Sequence, residues 1–443
     1  MTLDELRAEA SAGRTDTVLL VLTDMQGRLQ GKRMTARHFL EEVVEHGAEA
    51  CNYLLAVDVD MNTVEGYEMS SWERGYGDFE MRPDLSTLRG VPWHEGTAMC
   101  LADIAWADHS PVVASPRQIL RRQIERLAER QWAAFAGTEL EFMVFSNTYE
   151  EAWDSGYRNL TPANRYNVDY SMLGTARVEP LIRRIRNAMV DAEMRVENSK
   201  GECNYGQHEI NFHYGPVLQA ADEHVIYKNG AKEIAAQEGV AITYMAKYDE
   251  REGNSCHIHL SLRHEDGTPL FGTDDQSLLE HVMAGQLATL RELTLMLAPN
   301  VNSYKRFAVG SFAPTAVAWG LDNRTCALRV VGHGASRRVE CRLAGADVNP
   351  YLAIAALIAG GLHGVDHQLP LEPAYEGNAY LSDKPRVPST LREASELFGQ
   401  SPVAREAFGD EVVDHYLNNA RVELEAFDAA VTDWERFRGF ERL

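Results

Sequence analysis

Thr138-Glu-Leu-Glu-Phe-Met-Val-Phe145 is the stretch whose reading decides the fold. Side chains alternate across a β-strand, so Glu139 and Glu141 share one face while Leu140, Phe142 and Val144 line the other. Three further stretches repeat this pattern. In Gly206-Gln-His-Glu-Ile-Asn-Phe212, Gln207, Glu209 and Asn211 oppose His208, Ile210 and Phe212. In Ser255-Cys-His-Ile-His-Leu-Ser261, His257, His259 and Ser261 oppose Ile258 and Leu260. In Arg337-Arg-Val-Glu-Cys-Arg-Leu343, Arg338, Glu340 and Arg342 oppose Val339 and Cys341. Taken singly, each is an ordinary half-exposed antiparallel strand. Together they present Glu, His, Arg and Asn without Lys, unlike the outer face of a solvated sheet. If those faces line one cavity, the charges must compensate one another or hold metal ions, because unpaired buried charge is costly.

Carboxylates with an occasional imidazole suit Mg²⁺ or Mn²⁺ rather than thiolate-seeking metals. Arginines suit phosphate and carboxylate, since a guanidinium forks onto two oxygens. Metals and arginines in one cavity describe phosphoryl transfer, which rests on positioning and charge neutralisation. Neither a GxxxxGK[ST] motif nor a GxGxxG in a strand-to-helix context occurs, so P-loop and Rossmann sites are disfavoured.

Outward from these strands, Thr17–Thr23 reads as a strand, followed by a polar turn and a second strand-like stretch after Gly31. Leu3–Ala10 reads as a short helix, and residues 51–110 as short strands and loops. Ser115-Pro116 is a helix start, with Ile119, Leu120, Ile124 and Leu127 at helical spacing. The boundary falls at 108–115, giving an N-terminal domain of residues 1–110 and a catalytic domain of residues 111–443. Further helices are expected over 179–192, 222–238, 276–297, 350–361 and 405–438. The fold class is α+β.

Composition supports a large core: 443 residues, 45% hydrophobic and 25% charged. With 43 Lys and Arg against 66 Asp and Glu, the net charge of −23 argues against nucleic acid as a partner. The six cysteines form no CxxC pair and no disulfide framework. The first sixteen residues carry acids and no apolar core, unlike a signal peptide. No apolar run approaches the roughly 20 residues of a membrane span. A cytoplasmic protein with no membrane partner is expected.

Ordered strings along almost the whole chain resemble the glutamine synthetase superfamily (class I-like). They are Gly137-Thr-Glu-Leu-Glu-Phe142, Glu202-Cys-Asn-Tyr-Gly-Gln-His-Glu209, Gly253-Asn-Ser-Cys-His-Ile-His259, Asn302-Ser-Tyr-Lys-Arg306, Asn323-Arg-Thr-Cys-Ala-Leu-Arg329, Arg338-Val-Glu-Cys-Arg342 and Asn349-Pro-Tyr351. The resemblance implies a β-grasp-like N-terminal domain and a larger catalytic domain with a curved antiparallel sheet. It implies that Glu141, Glu202 and Glu209 hold one metal ion and Glu139, His257 and Glu340 another, so two or more Mg²⁺ or Mn²⁺ per site. Arg306 and Arg342 would grip glutamate and its phosphorylated form, with Gly253 on the amino-acid side. Arg324 and Arg329 would bind phosphate, and Glu197, His259 and Ser261 would contact ATP. The expected assembly is a dodecamer of two stacked hexameric rings with sites shared between subunits.

The sequence departs from the ammonia-using members in the loop after Arg306. There Phe312 aligns with a glutamate that takes a proton from ammonium, and phenylalanine cannot act as a base. The family's ammonium-binding aspartate corresponds to Asp58 or Asp60. An aromatic wall suits an alkylamine and attracts its ammonium through cation–π contact. Tyr53-Leu-Leu-Ala-Val-Asp58, Trp72-Glu-Arg-Gly-Tyr76 and the turn Thr23–Arg33 resemble the actinobacterial branch that forms γ-glutamylamines, especially γ-glutamylethanolamides. The expected activity is an ATP-dependent glutamate–amine ligase acting through γ-glutamyl phosphate, with ethanolamine favoured over polyamines or ammonium. Tyr380 aligns loosely with a tyrosine that some relatives adenylylate, and no such control is expected here.

Overall fold

The computed structural model describes residues 1–273 and 275–443. Its strands form two sheets. The first is built from β1 (Thr17–Thr23), β2 (Leu29–Thr35), β3 (Ala48–Cys51), β4 (Asp78–Pro83), β5 (Arg89–Gly90) and β6 (Thr97–Ala105). Its order is β2-β1-β6-β4-β3, with β5 beside β6. β1 and β2 form the expected hairpin, and β6 returns parallel to β1 after the helical stretch of residues 36–46. The hydrophobic run Val18-Leu-Leu-Val-Leu22 is buried along its whole length, as a strand covered on both faces must be.

The second sheet contains β7 (Trp132–Phe145), β8 (Val196–Gly201), β9 (Gln207–Phe212), β10 (Gly215–Pro216), β11 (Ala241–Thr243), β12 (Cys256–His264), β13 (Trp319–Leu321), β14 (Leu328–Val331) and β15 (Arg338–Cys341). The order is β13-β14-β15-β12-β7-β9-β8, with β10 and β11 also on β7. The expected antiparallel sheet is mixed at one end, where β13 and β14 run parallel. The four quoted stretches are β7, β9, β12 and β15. Their apolar faces enter the core: Leu140, Phe142, Ile210, Ile258, Leu260 and Val339 are all at most 2% exposed.

Helices of residues 116–128, 217–237, 277–289 and 350–366 build the rest of that core. The last two pack backbone to backbone. A Cβ at Gly285 would stand 2.2 Å from the Gly360 carbonyl oxygen, so only glycine permits this approach. Two expected helices prove to be interrupted. Residues 276–297 divide into Ser277–Thr289 and Thr294–Leu297, and 405–438 into Pro402–Phe408, Asp410–Ala429 and Asp433–Gly439. Gly409 causes one break directly: its φ of +89° lies in the left-handed region that ends helices.

A buried polar network joins the first sheet to the helices. Arg117, 3% exposed, binds Asp222 at 2.9–3.0 Å, Asp103 at 2.5 Å and Asp84 at 2.7 Å. The Tyr351 hydroxyl donates to the same Asp222 at 2.6 Å. Asn349, at the start of the 350–366 helix, donates to the carbonyls of Asp24 and Met25 in the β1–β2 turn. No helix among the described residues is long and apolar enough to cross a membrane.

Candidate active site

Strand register assembles the polar wall in staggered rows. Glu141 on β7 faces Glu209 on β9, and Glu209 faces Lys200 on β8. One step along β7, Glu139 pairs with His257 on one side and Asn211 on the other. The next row runs from His259 on β12 to Glu340 on β15 and Arg329 on β14. Alternation supplies one polar residue per row from each strand, and antiparallel pairing brings these residues side by side.

Among the described residues three groups have ligand atoms mutually within 4.8 Å: Glu141, Glu202 and Glu209; Glu139, His259 and Glu340; and Asp169, Glu202 and Cys203, which shares Glu202 with the first. The first is the expected triad. In the second, His259 joins Glu139 and Glu340, and the expected ligand His257 stands beside the same two carboxylates. His259 Nε2 is 2.8 Å from Glu139, while His257 Nδ1 is 3.1 Å from Glu139 and 3.7 Å from Glu340. His257 nevertheless suits a cation, because its buried Nε2 has no hydrogen-bond partner. Burial, followed by the charge of Arg342, pushes this imidazole down to about 4, so at neutral pH its nitrogen has a free lone pair.

The carboxylates divide by their neighbours. In the first cluster, burial and then Glu202 and Glu209 drive Glu141 well above the usual carboxylate range. Burial, Glu202 and Glu139 together raise Glu209 to about 8. Three acids this close cannot all ionise without a cation, so the donor set fits a divalent ion bound through oxygen. In the second cluster burial again opposes ionisation, but hydrogen bonds from His257 and His259 outweigh it at Glu139, whose carboxyl is held well below its usual range. At Glu340, His257, Arg342 and His259 overcome burial and hold the carboxyl at about 2. Glu340 is fully buried and accepts from Arg342 Nη1 at 2.5 Å and Arg329 Nη1 at 2.8 Å.

Two cavities flank this wall. One, of about 640 Å³, is lined by Glu197, His259 and Ser261, together with Phe135, Tyr214 and Arg263. The other, of about 670 Å³, holds Glu141, Glu202, Glu209, His257, Gly253, Phe312, Arg324, Arg329 and Arg342. Glu139, Asn198 and Asn211 border both. Gly253 approaches its surroundings so closely that a Cβ would stand 2.2 Å from the Ala246 carbonyl oxygen.

Arg306, Asp58, Asp60 and Tyr380 stand outside the linings of both cavities. Arg306 lies behind the wall, 1% exposed, and not in either cavity's lining. Its guanidinium donates to Ser255 Oγ and the carbonyls of Arg342, Leu343 and Ala344, so it buttresses the strand that carries Arg342. Asp58 and Asp60 sit on an N-terminal loop near Glu423, outside both linings. Asp58 accepts there from Asn62 at 2.8 and 3.1 Å. Tyr380 is 8% exposed, and its hydroxyl donates to the Ala313 carbonyl at 3.0 Å.

Sequence reasoning missed residues on both sides. Lys200, Asp169, Tyr170, Met172 and Cys203 line the second cavity. Lys200 was discoverable, because it stands two residues before Glu202. Arg263 continues the alternation of His257, His259 and Ser261 along β12, and its guanidinium lies 5.0 Å from the Phe135 ring centroid. Nothing local in the sequence points to Asp169 and Tyr170, which arrive on a loop.

The two sheets carry the fold of the glutamine synthetase family, and the chain belongs to that family. The family's catalytic-domain model matches residues 113–438. Along its whole length the chain is 65% identical to a γ-glutamylethanolamide synthetase of Streptomyces coelicolor, covering 96% of that protein. A glutamate–isopropylamine ligase of a Pseudomonas species is 37% identical over 96% of this chain and 94% of its own. Among solved structures, a GmaS–ADP complex superposes with a TM-score of 0.87 at 25% identity, over 98% of this chain and 99% of the other.

Proposed function

We propose that this chain is an ATP-dependent ligase that joins the γ-carboxylate of L-glutamate to a small organic amine, with ethanolamine favoured. The observation that carries the reading is that Phe312 lines the same cavity as the glutamate-cluster carboxylates and the arginines. A nucleophile entering there meets an aromatic face that packs against an alkyl chain and attracts the attached ammonium, a fit that ammonium without a carbon chain cannot make in full. The relatives that form γ-glutamylethanolamide and glutamate–isopropylamine products support an organic amine.

In this reading the 640 Å³ cavity receives ATP, with Glu197, His259 and Ser261 in contact with it. The 670 Å³ cavity receives glutamate and the amine. Arg324, Arg329 and Arg342 stabilise the charge that develops as the γ-phosphoryl group moves from ATP to the glutamate carboxylate oxygen and ADP leaves. Arg306 positions Arg342 from behind. The neutral amine nitrogen then attacks the acyl carbon; the C–N bond forms, the C–O bond breaks, and the nitrogen's surplus proton leaves with the phosphate. Glu141, Glu202 and Glu209 would hold one divalent ion and Glu139, Glu340 and the histidines another. Bound there, the ions would offset the charge of the glutamate carboxylate and of the phosphates.

We read residues 1–110 and 111–443 as two domains. That Asp58 and Asp60 line neither cavity of their own chain supports sites completed by a neighbouring copy, as in a dodecamer of stacked rings. The decisive assay is ADP release from ATP, glutamate and Mg²⁺ or Mn²⁺ with ammonium, ethanolamine, methylamine, putrescine and spermidine. Ethanolamine should give the highest turnover, and fastest turnover with ammonium would sink the reading.

A further inference from the structure

Lys200 is the one lysine that faces the carboxylate wall from the described strands of the second cavity. It stands opposite Glu209 in the β8–β9 register, and its ammonium contacts the Glu202 carboxylate. The same nitrogen lies 3.8 Å from Asp169 Oδ1 and 4.7 Å from the centroid of the Tyr170 ring. A carboxylate beside an aromatic face forms a seat for an ammonium ion. The seat is inside the cavity and next to a cluster ligand, and the chain fills it with a cation of its own.

We propose that Lys200 is a specificity-determining residue that excludes doubly charged amines by occupying the Asp169–Tyr170 seat as a tethered ammonium. This rests on the γ-glutamyl amide reading above and deepens it. An α,ω-diamine brings one amine to the acyl phosphate and a second, protonated amine that needs a counter-charge. The seat that would supply it is already taken, and a group tethered to β8 competes at an effective concentration of the order of millimolar or above. Ethanolamine ends in a neutral hydroxyl and needs no second anion. The lysine therefore separates mono-amines from polyamines by charge, while Phe312 separates organic amines from ammonium by shape and apolarity.

The test compares kcat/KM for putrescine and ethanolamine at saturating ATP, glutamate and Mg²⁺. In Lys200→Gln the putrescine-to-ethanolamine ratio should rise about tenfold, the effect of freeing one charged contact. Lys200→Arg should keep the native ratio, and adding Asp169→Asn to Lys200→Gln should cancel the gain. A merely structural lysine would lower both values together, so an unchanged ratio overturns the proposal, as does an equal shift in Lys200→Arg. If Lys200→Gln is insoluble, the native enzyme provides the reading through inhibition of ethanolamine turnover. n-Butylamine should inhibit more strongly than putrescine, which differs by its second ammonium, and equal inhibition overturns the proposal. A native chain without amine-dependent ADP release sinks the ligase reading and this inference together, whereas normal turnover with an unchanged ratio sinks only the inference.

Discussion

Glu141 and Glu209 stand directly opposite each other across β7 and β9, two buried carboxylates on the same face of one sheet. Burial raises both, with Glu202 and Glu209 adding to it at Glu141 and Glu202 and Glu139 at Glu209. The sign of the resulting pH dependence follows from Glu209, which rises from 4.5 to about 8 on folding. Between those values the folded chain binds the extra proton, so its contribution to stability is complete below pH 4.5 and is lost as pH rises towards 8. Thermal melts of the metal-free protein should show Tm falling across that window. Mg²⁺ or Mn²⁺ should raise Tm most at the alkaline end, and Glu209→Gln should flatten both effects. A metal-induced shift independent of pH would speak against the cluster as a cation site.

Glu340 has two arginines and a histidine committed to it at zero exposure. Glu340→Ala leaves the buried Arg342 without its carboxylate and Arg329 with only the exposed Asp322. Breaking a buried pair from one side costs about 3–5 kcal/mol. Urea denaturation should register a loss of that size, alongside loss of glutamate-dependent ADP release. A change below about 1 kcal/mol would mean that water replaces the carboxylate easily.

Phe312 is 53% exposed, with φ of +58° and its carbonyl oxygen 3.4 Å from Arg342 Nη2. Phe312→Glu should raise ammonium turnover relative to ethanolamine by about tenfold or more, since a hydrogen bond to a charged group is worth about 1.5–3 kcal/mol. Steady-state assays with both amines give the ratio directly. An unchanged ratio would reduce Phe312 to a packing residue on its loop.

Gly253 has no room for a methyl group between the Ala246 carbonyl and Arg306 Cγ, which would stand 2.2 and 2.8 Å from it. Gly253→Ala should destabilise the chain by about 1–3 kcal/mol, the usual range for overpacking. Because Arg306 supports Arg342, the KM for glutamate should rise as well. Normal KM with reduced Tm would confine the effect to folding.

The acidic wall was legible because strand alternation has a period of two and β7, β9, β12 and β15 keep it strictly. Register was not legible. Whether His257 or His259 completes the second cluster depends on which residue of β12 stands beside Glu139 and which beside Glu340. Arg306 shows a related limit: a basic residue at the end of the 301–306 turn carries no local sign that it points inward to three carbonyls. Lys200 escaped notice because β8 was not read as part of the wall. Helix ends failed at Gly409, where a backbone angle rather than a hydrophobic pattern decides the break. The parallel β13–β14 pair depends on chain crossing, which alternation does not encode.

β7 contributes Glu139 to one cluster and Glu141 to the other, while Asp169, Tyr170 and Phe312 sit on loops outside the named strands. The phosphate-handling half is thus fixed by hydrogen-bonded register, where a one-residue slip would turn both glutamates inward. The half that meets the nucleophile has no such constraint. A lineage can exchange one amine for another by rewriting a few loop positions and Lys200 on the edge strand β8 while its energy-coupling machinery stays intact, so divergence of acceptor within such enzymes should map to loops and that edge and spare β7, β9, β12 and β15.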